Sequence, residues 1–160
     1  MNQILPVAAR EAFAPDIFAG RVFLVTGAGR GIGKLLAERL AGLGARVAIC
    51  DLVEERARET ARIVESVAGE AMALVADVSK EADVRAAVET VLARWSRIDV
   101  LVNMAGSYGA AYRVTHETPV EEWDSVFASN VRGSFLCAKT VLPHMIEAGG
   151  GRIINFASNA

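Results

Sequence analysis

Apolar runs of strand length alternate along this chain with longer stretches in which apolar residues recur at helical spacing. Val22–Thr26 is a short run rich in β-branched residues. A glycine cluster follows, then a helical pattern from Ile32 to Leu43, with Gly44 where that helix would take a left-handed cap. The alternation next predicts a strand over Arg46–Cys50 and a helix over Val53–Val67 with its charges outward. A strand over Ala71–Ala76 and a helix over Glu81–Arg94 come after it, with Ser79 as the N-cap. Asp99–Val102 is the fourth strand and leads into Asn103-Met104-Ala105-Gly106. After a loop, Ser107 to Glu117, the segment Thr118-Pro119-Val120-Glu121 offers a cap, a proline at the first helical position and a glutamate at the third. The helix or helix pair that follows reaches Ala148, with a kink expected from Pro143. Gly149–Gly151 stop it, and Arg152–Phe156 is a fifth strand.

The strand runs are apolar throughout rather than alternating, which means a sheet covered on both faces. Five such strands joined by helices read as an open parallel α/β sheet with right-handed crossovers. The 160 residues suit one domain. Residues 1–20 read as a loosely ordered lead-in, and 21–160 as the domain proper.

Composition narrows the partners. Hydrophobic residues make up 52% and charged ones 22%, enough for a sizeable core. A formal net charge of −2 gives no electrostatic case for nucleic acid or an anionic membrane, so the expected partner is a small molecule or another protein. Cys50 and Cys137 sit in apolar runs and read as reduced core thiols of a cytoplasmic protein. His116 and His144 are isolated, and no metal site is expected. No apolar run approaches the ~20 residues that cross a bilayer, and no basic start followed by an apolar stretch marks a signal peptide.

The chemistry lies in Thr26-Gly27-Ala28-Gly29-Arg30-Gly31-Ile32-Gly33, between the first strand and the first helix. A pyrophosphate needs glycines there. Gly27 allows the tight turn, Gly31 lets the backbone approach the phosphates, and Gly33 lets the helix pack close to the sheet. Arg30, Ile32 and their neighbours then lie at a helix N-terminus, where unpaired N–H groups and a partial positive charge await an anion. An acid at the end of the next strand, Asp51, strengthens the pattern into that of a Rossmann-type doubly wound fold. Its carboxylate can accept hydrogen bonds from both adenosine ribose hydroxyls and would repel a 2′-phosphate, favouring NAD over NADP. Two features compete: Asp51 with Glu54 could cap the next helix, and the Arg30 guanidinium could welcome NADP.

These residues resemble the short-chain dehydrogenases/reductases, whose glycine pattern Thr-Gly-x-x-x-Gly-x-Gly is matched by Thr26 to Gly33. Asp77-Val78 matches the pair the family places against the adenine ring. Asn103-Met104-Ala105-Gly106 resembles its Asn-Asn-Ala-Gly segment, with Met104 departing from the usual second asparagine. Asn103, Ala105 and Gly106 are then expected at the cofactor. Asn130-Val131-Arg132-Gly133 looks like Asn-x-x-Gly, and Ile153-Ile154-Asn155-Phe156-Ala157-Ser158 like the strand that delivers the catalytic serine. The resemblance implies that Ser158 hydrogen-bonds the substrate oxygen and that Asn130 holds a water in a proton relay. It also implies a strand order 3-2-1-4-5 and a homo-oligomer in which the helix containing Asn130 to Met145 packs between subunits.

The family's acid–base residue is a tyrosine in Tyr-x-x-x-Lys, beyond the serine. A tyrosine near its free pKa of about 10 transfers protons poorly at neutral pH unless a lysine charge lowers it. The tyrosines here are Tyr108 and Tyr112, and four residues after them stand Tyr112 and His116, neither a lysine. The expectation is therefore a domain truncated after the fifth strand, whose edge is open and apolar. The favoured function is NAD-dependent interconversion of an alcohol and a ketone, and the alternative is a non-catalytic dinucleotide-binding module or inactive fragment. Ser107 to Glu117 alone does not choose a substrate.

Overall fold

The computed structural model describes residues 14–66, 69–109 and 114–158. Five strands form one parallel sheet in the order β3-β2-β1-β4-β5. They are β1 (Val22–Thr26), β2 (Arg46–Asp51), β3 (Glu70–Val75), β4 (Val100–Asn103) and β5 (Arg152–Asn155). The helices are α1 (Gly31–Gly42), α2 (Glu54–Ser66), α3 (Glu81–Trp95), α4 (Val120–Phe127) and α5 (Gly133–Glu147). This is the doubly wound α/β architecture that the periodicity predicts.

Two cores explain why the central strands carry no polar alternation. On one face Val22, Leu24, Ala48 and Cys50 pack with Val84, Val88, Val91 and Trp95 of α3 and Leu136, Cys137 and Val141 of α5. On the other, Phe23, Val25, Val47 and Ile49 meet Ala37, Leu40 and Ala41 of α1 and Ala57, Ala61 and Val64 of α2. Successive strand residues point to opposite faces, so both sets must be apolar. α2 shows the helical side of the same rule. Ala57, Thr60, Ala61 and Val64 form its buried stripe, while Glu54–Arg58 and Glu55–Arg62 ion pairs lie outside.

Local signals hold in part. Gly44 takes the left-handed conformation (φ +86°) after α1, and its N–H reaches the Ala41 carbonyl at 3.0 Å. Ser79 does not cap α3. Its hydroxyl donates to Asp77 Oδ1 at 2.7 Å, because a carboxylate two residues back is the stronger acceptor, and the cap position falls to Lys80. Nor is the expected box at α4 made. The short 3₁₀ turn Thr115–Glu117 ends on Thr118, whose hydroxyl donates back to the Val114 carbonyl, and Pro119 occupies the cap. α4 and α5 are separate, joined by a π-helical turn over Ala128–Arg132, and α5 runs through Pro143 to Glu147. Of the lead-in, residues 14–20 form hydrogen-bonded turns, and Phe18 meets the Phe23 ring edge-on at 5.1 Å. Beside β5, Ile154 and Phe156 are exposed, while Ile153 packs partly against the first core.

Candidate functional site

β2 lies on one side of β1 and β4 on the other, so the chain reverses direction of growth at β1. A crevice opens at the carboxyl ends of the strands there, the position where such sheets bind ligands. The glycine turn fills one wall. Gly27 (φ +67°) and Gly31 (φ +56°) occupy backbone conformations that L side chains avoid. A Cβ at Gly33 would stand 2.3 Å from the Gly27 carbonyl oxygen, and one at Gly27 only 2.8 Å from Ala105 Cα. A Cβ at Gly31 would meet nothing within 4 Å, so the space over it is open. α1 then begins with Arg30 in an extended conformation, with no side-chain cap and no acid in its first turn. Its leading N–H groups therefore face the crevice with their positive end uncompensated by the protein. Arg30, Gly31 and Ile32 are exposed beside it.

Asp51 closes the second wall. It is 8% exposed; Oδ2 accepts the Gly29 N–H at 3.0 Å and Oδ1 the Val53 N–H at 3.0 Å. The carboxylate thus binds the glycine turn and the approach to α2 together. A carboxylate has about four acceptor positions, so these two bonds leave capacity for further donors. Gly29 was not among the glycines assigned a role from the sequence. The available signal was a fourth glycine in the turn with an acid at the end of the neighbouring strand.

The third wall is the segment after β4. Thr26 Oγ1 accepts the N–H groups of Met104 and Ala105, each at 3.1 Å, and donates to the Val102 carbonyl. This role of the motif's threonine also escapes sequence reasoning, since its partners are nearly eighty residues away. Asn103 is buried at the register position between Thr26 and Asn155, and its Nδ2 donates to Asn155 Oδ1 at 2.8 Å. Met104 is half-buried against the core shared by α1 and α2, which accounts for an apolar residue there.

Gly106 approaches Asn130, whose Oδ1 would lie 3.2 Å from a Cβ. Asn130 sits in the π turn and clasps the loop backbone reciprocally: Oδ1 accepts the Ser107 N–H at 2.8 Å and Nδ2 donates to the Ser107 carbonyl at 2.9 Å. Its side chain is neither a helix cap nor free in solvent. The Asn130 carbonyl accepts from Ser134 Oγ at 3.0 Å. Widened turns of this kind recur at functional positions.

Asp77 and Val78 stand past β3. The Ser79 hydroxyl bonded to Asp77, working against burial and helped by the Ser79 amide and Lys80, holds its carboxyl below the usual range. Val78 is buried beneath Gly133, where a Cβ would meet Val78 Cγ2 at 2.7 Å. Ser158 is exposed just past β5, at the same end of the sheet as Asn103. Tyr108 is exposed in the loop; Tyr112 lies outside the described residues. Among the described residues no group of His, Cys, Asp and Glu could hold a metal ion, and no helix is long and apolar enough to cross a membrane.

A family model described as short chain dehydrogenase matches residues 21–160. The 2-(R)-hydroxypropyl-CoM dehydrogenase of Xanthobacter autotrophicus is 46% identical over 142 residues, covering 88% of this chain and 57% of that protein. A crystal structure of NAD+-bound xylitol dehydrogenase superposes with TM-score 0.85 at 37% identity, over 89% of this chain and 54% of that one. A metagenomic short-chain oxidoreductase in complex with NADP does so with TM-score 0.84 at 38% identity, over 89% and 64%. The chain spans little more than half the length of the curated relatives it matches.

Proposed function

The chain belongs to the short-chain dehydrogenase family, and on that premise we propose that it is the NAD-binding portion of an oxidoreductase that interconverts an alcohol and a ketone by hydride transfer. The observation that carries the reading is the Asp51 carboxylate fixed 3.0 Å from the Gly29 amide at the mouth of the glycine turn. A dinucleotide fits these residues. The uncapped α1 N-terminus and the open space over Gly31 suit a diphosphate, and the remaining acceptor positions of Asp51 suit the two ribose hydroxyls. When bound, the nicotinamide supplies the hydride acceptor or donor.

The chain's own residues do the rest. Asp51, an anion held by two amides, disfavours a 2′-phosphate and so favours NAD; of the similar structures, the xylitol dehydrogenase is NAD+-bound and the metagenomic oxidoreductase is in complex with NADP. The Asp77-Val78 backbone flanks the adenine, and Asn103 to Gly106 line the nicotinamide side. Ser158 hydrogen-bonds the substrate oxygen. Asn130 holds the loop through its side-chain amide and keeps the relay water that the family resemblance assigns to it. Neither Tyr108 nor Tyr112 has a lysine four residues on, so neither is assigned the proton transfer at the substrate oxygen.

The substrate class is a small alcohol, as the name of the Xanthobacter relative suggests. Homo-oligomerisation is supported by an apolar stripe along α4, the π turn and α5: Trp123, Phe127, Val131 and Phe135 are between 44% and 61% exposed, and Phe127, Val131 and Phe135 border an open cleft of about 850 Å³. Buried, reduced thiols fit a cytoplasmic location. Calorimetry tests the central claim. NAD should bind the full chain, and Asp51→Ala should weaken NAD about tenfold while NADP binding improves. No affinity for either nucleotide would end the reading, and an unchanged ratio would leave Asp51 as a helix cap. Binding without turnover in the complete protein would favour the non-catalytic module.

A further inference from the structure

Gly29 carries the next step. Its N–H donates to Asp51 Oδ2, and the space a side chain would need is already filled. A Cβ there would stand 2.6 Å from Asp51 Oδ2, 2.7 Å from Asp51 Cγ and 2.6 Å from Arg56 Cβ. Arg56 lies in the first turn of α2, so the glycine is held between the tip of β2 and the start of the following helix.

We propose that Gly29 is a positioning residue for cofactor choice: its amide and its missing side chain fix the Asp51 carboxylate in the one placement that admits a ribose 2′-hydroxyl and rejects a 2′-phosphate. This rests on the assignment of Asp51 to the adenosine ribose. A carboxylate tied at both oxygens, by Gly29 and by Val53, cannot swing aside to relieve repulsion. Placement, and not only charge, then sets the discrimination. Any side chain at position 29 must push the carboxylate out of the Gly29 bond, because the Arg56 side blocks the opposite movement. An untethered carboxylate can turn away from a phosphate, and the Arg30 and Arg56 guanidinium groups, for which the described residues provide no ion pair, are the nearby cations that would receive it.

The test uses ADP-ribose and 2′-phospho-ADP-ribose as probes, since they report the adenosine end without any turnover. Dissociation constants are measured by calorimetry for the unaltered full chain and for Gly29→Ala, Asp51→Glu and Asp51→Ala, with thermal unfolding recorded for each. Asp51→Glu keeps the charge but, one methylene longer, cannot keep both amide bonds. Gly29→Ala and Asp51→Glu should each lower the preference for ADP-ribose about tenfold, the usual worth of a hydrogen bond to a charged group, and Asp51→Ala should lower it at least as far. A preference within twofold of the unaltered protein in Gly29→Ala overturns the proposal. Should that variant not fold, a retained preference in Asp51→Glu overturns it equally. If Asp51→Ala itself leaves the preference unchanged, it is the ribose assignment that fails, and the two failures are thereby distinguished.

Discussion

Thr26→Val removes a hydroxyl while keeping the shape of a buried side chain. Thr26 is 2% exposed, and its oxygen is the acceptor for two backbone N–H groups, Met104 and Ala105, at 3.1 Å each. A valine methyl offers them nothing. A buried donor left unsatisfied costs about 1–3 kcal/mol. Both amides belong to half-buried residues, so water recovers part of the loss, and the expected destabilisation is about 2–4 kcal/mol. Thr26→Ser keeps the acceptor and loses one methyl, for roughly 1 kcal/mol. Urea unfolding of the full chain separates the two. With a slope of about 2 kcal/mol per M, the valine variant should lose about 1–2 M in midpoint and the serine variant about 0.5 M, with slopes unchanged. The 104–106 segment should also loosen from Gly27, so nucleotide affinity should fall further in the valine variant than in the serine one. Equal midpoints for the two variants would refute the claim that the hydroxyl anchors this segment.

The other predictions concern different parts of the molecule. Burial raises the Asp99 carboxyl, but hydrogen bonds from Arg97, the Val22 amide and Arg21 outweigh it and hold the group below its ordinary 3.8. A depressed folded pKa stabilises above the unfolded value and is lost as pH falls through the folded one. The stability gap between the unaltered chain and Asp99→Asn, read by denaturant titration, should therefore be full above about pH 5 and shrink as pH drops below 3.8. Burial pushes the Cys50 thiol up to about 12 and the Cys137 thiol up to about 11. Both should resist iodoacetamide at neutral pH in the folded protein and react on unfolding, as mass spectrometry would show. Phe135→Glu places a charge in the exposed apolar stripe, and sedimentation velocity should report a smaller species. An unchanged sedimentation coefficient would count against that face as a subunit contact.

The fold was legible because each strand signal is local and redundant. Uninterrupted apolar runs, Gly44 after a helix and glycines after β1 all answer to constraints within a few residues. The two missed caps show the limit: Ser79 and Thr118 are good cap residues by type, yet Asp77 and the Val114 carbonyl capture their hydroxyls first. The site was legible only as far as its glycines and its acid. Glycine is demanded at 27 and 33 by backbone collisions that any side chain would cause, so residue type alone carries the message.

What ties those pieces together was not legible, for a physical reason. Thr26 to Ala105, Asn130 to Ser107 and Asn103 to Asn155 are bonds between side chains and groups 79, 23 and 52 residues away. A sequence shows each polar residue without its partner, and asparagine in a helical stretch reads equally as a cap or a solvated group. The sheet register supplies the missing information: it sets Thr26 opposite Asn103 and Asn103 opposite Asn155, so the loops leaving β1, β4 and β5 start from one level. Once they do, a single hydroxyl can hold the second loop against the first, and the π turn can hold its far end. The order of the crevice is thus a consequence of strand register, and a substitution that shifted β4 by two residues would dismantle the site while leaving every motif residue in place.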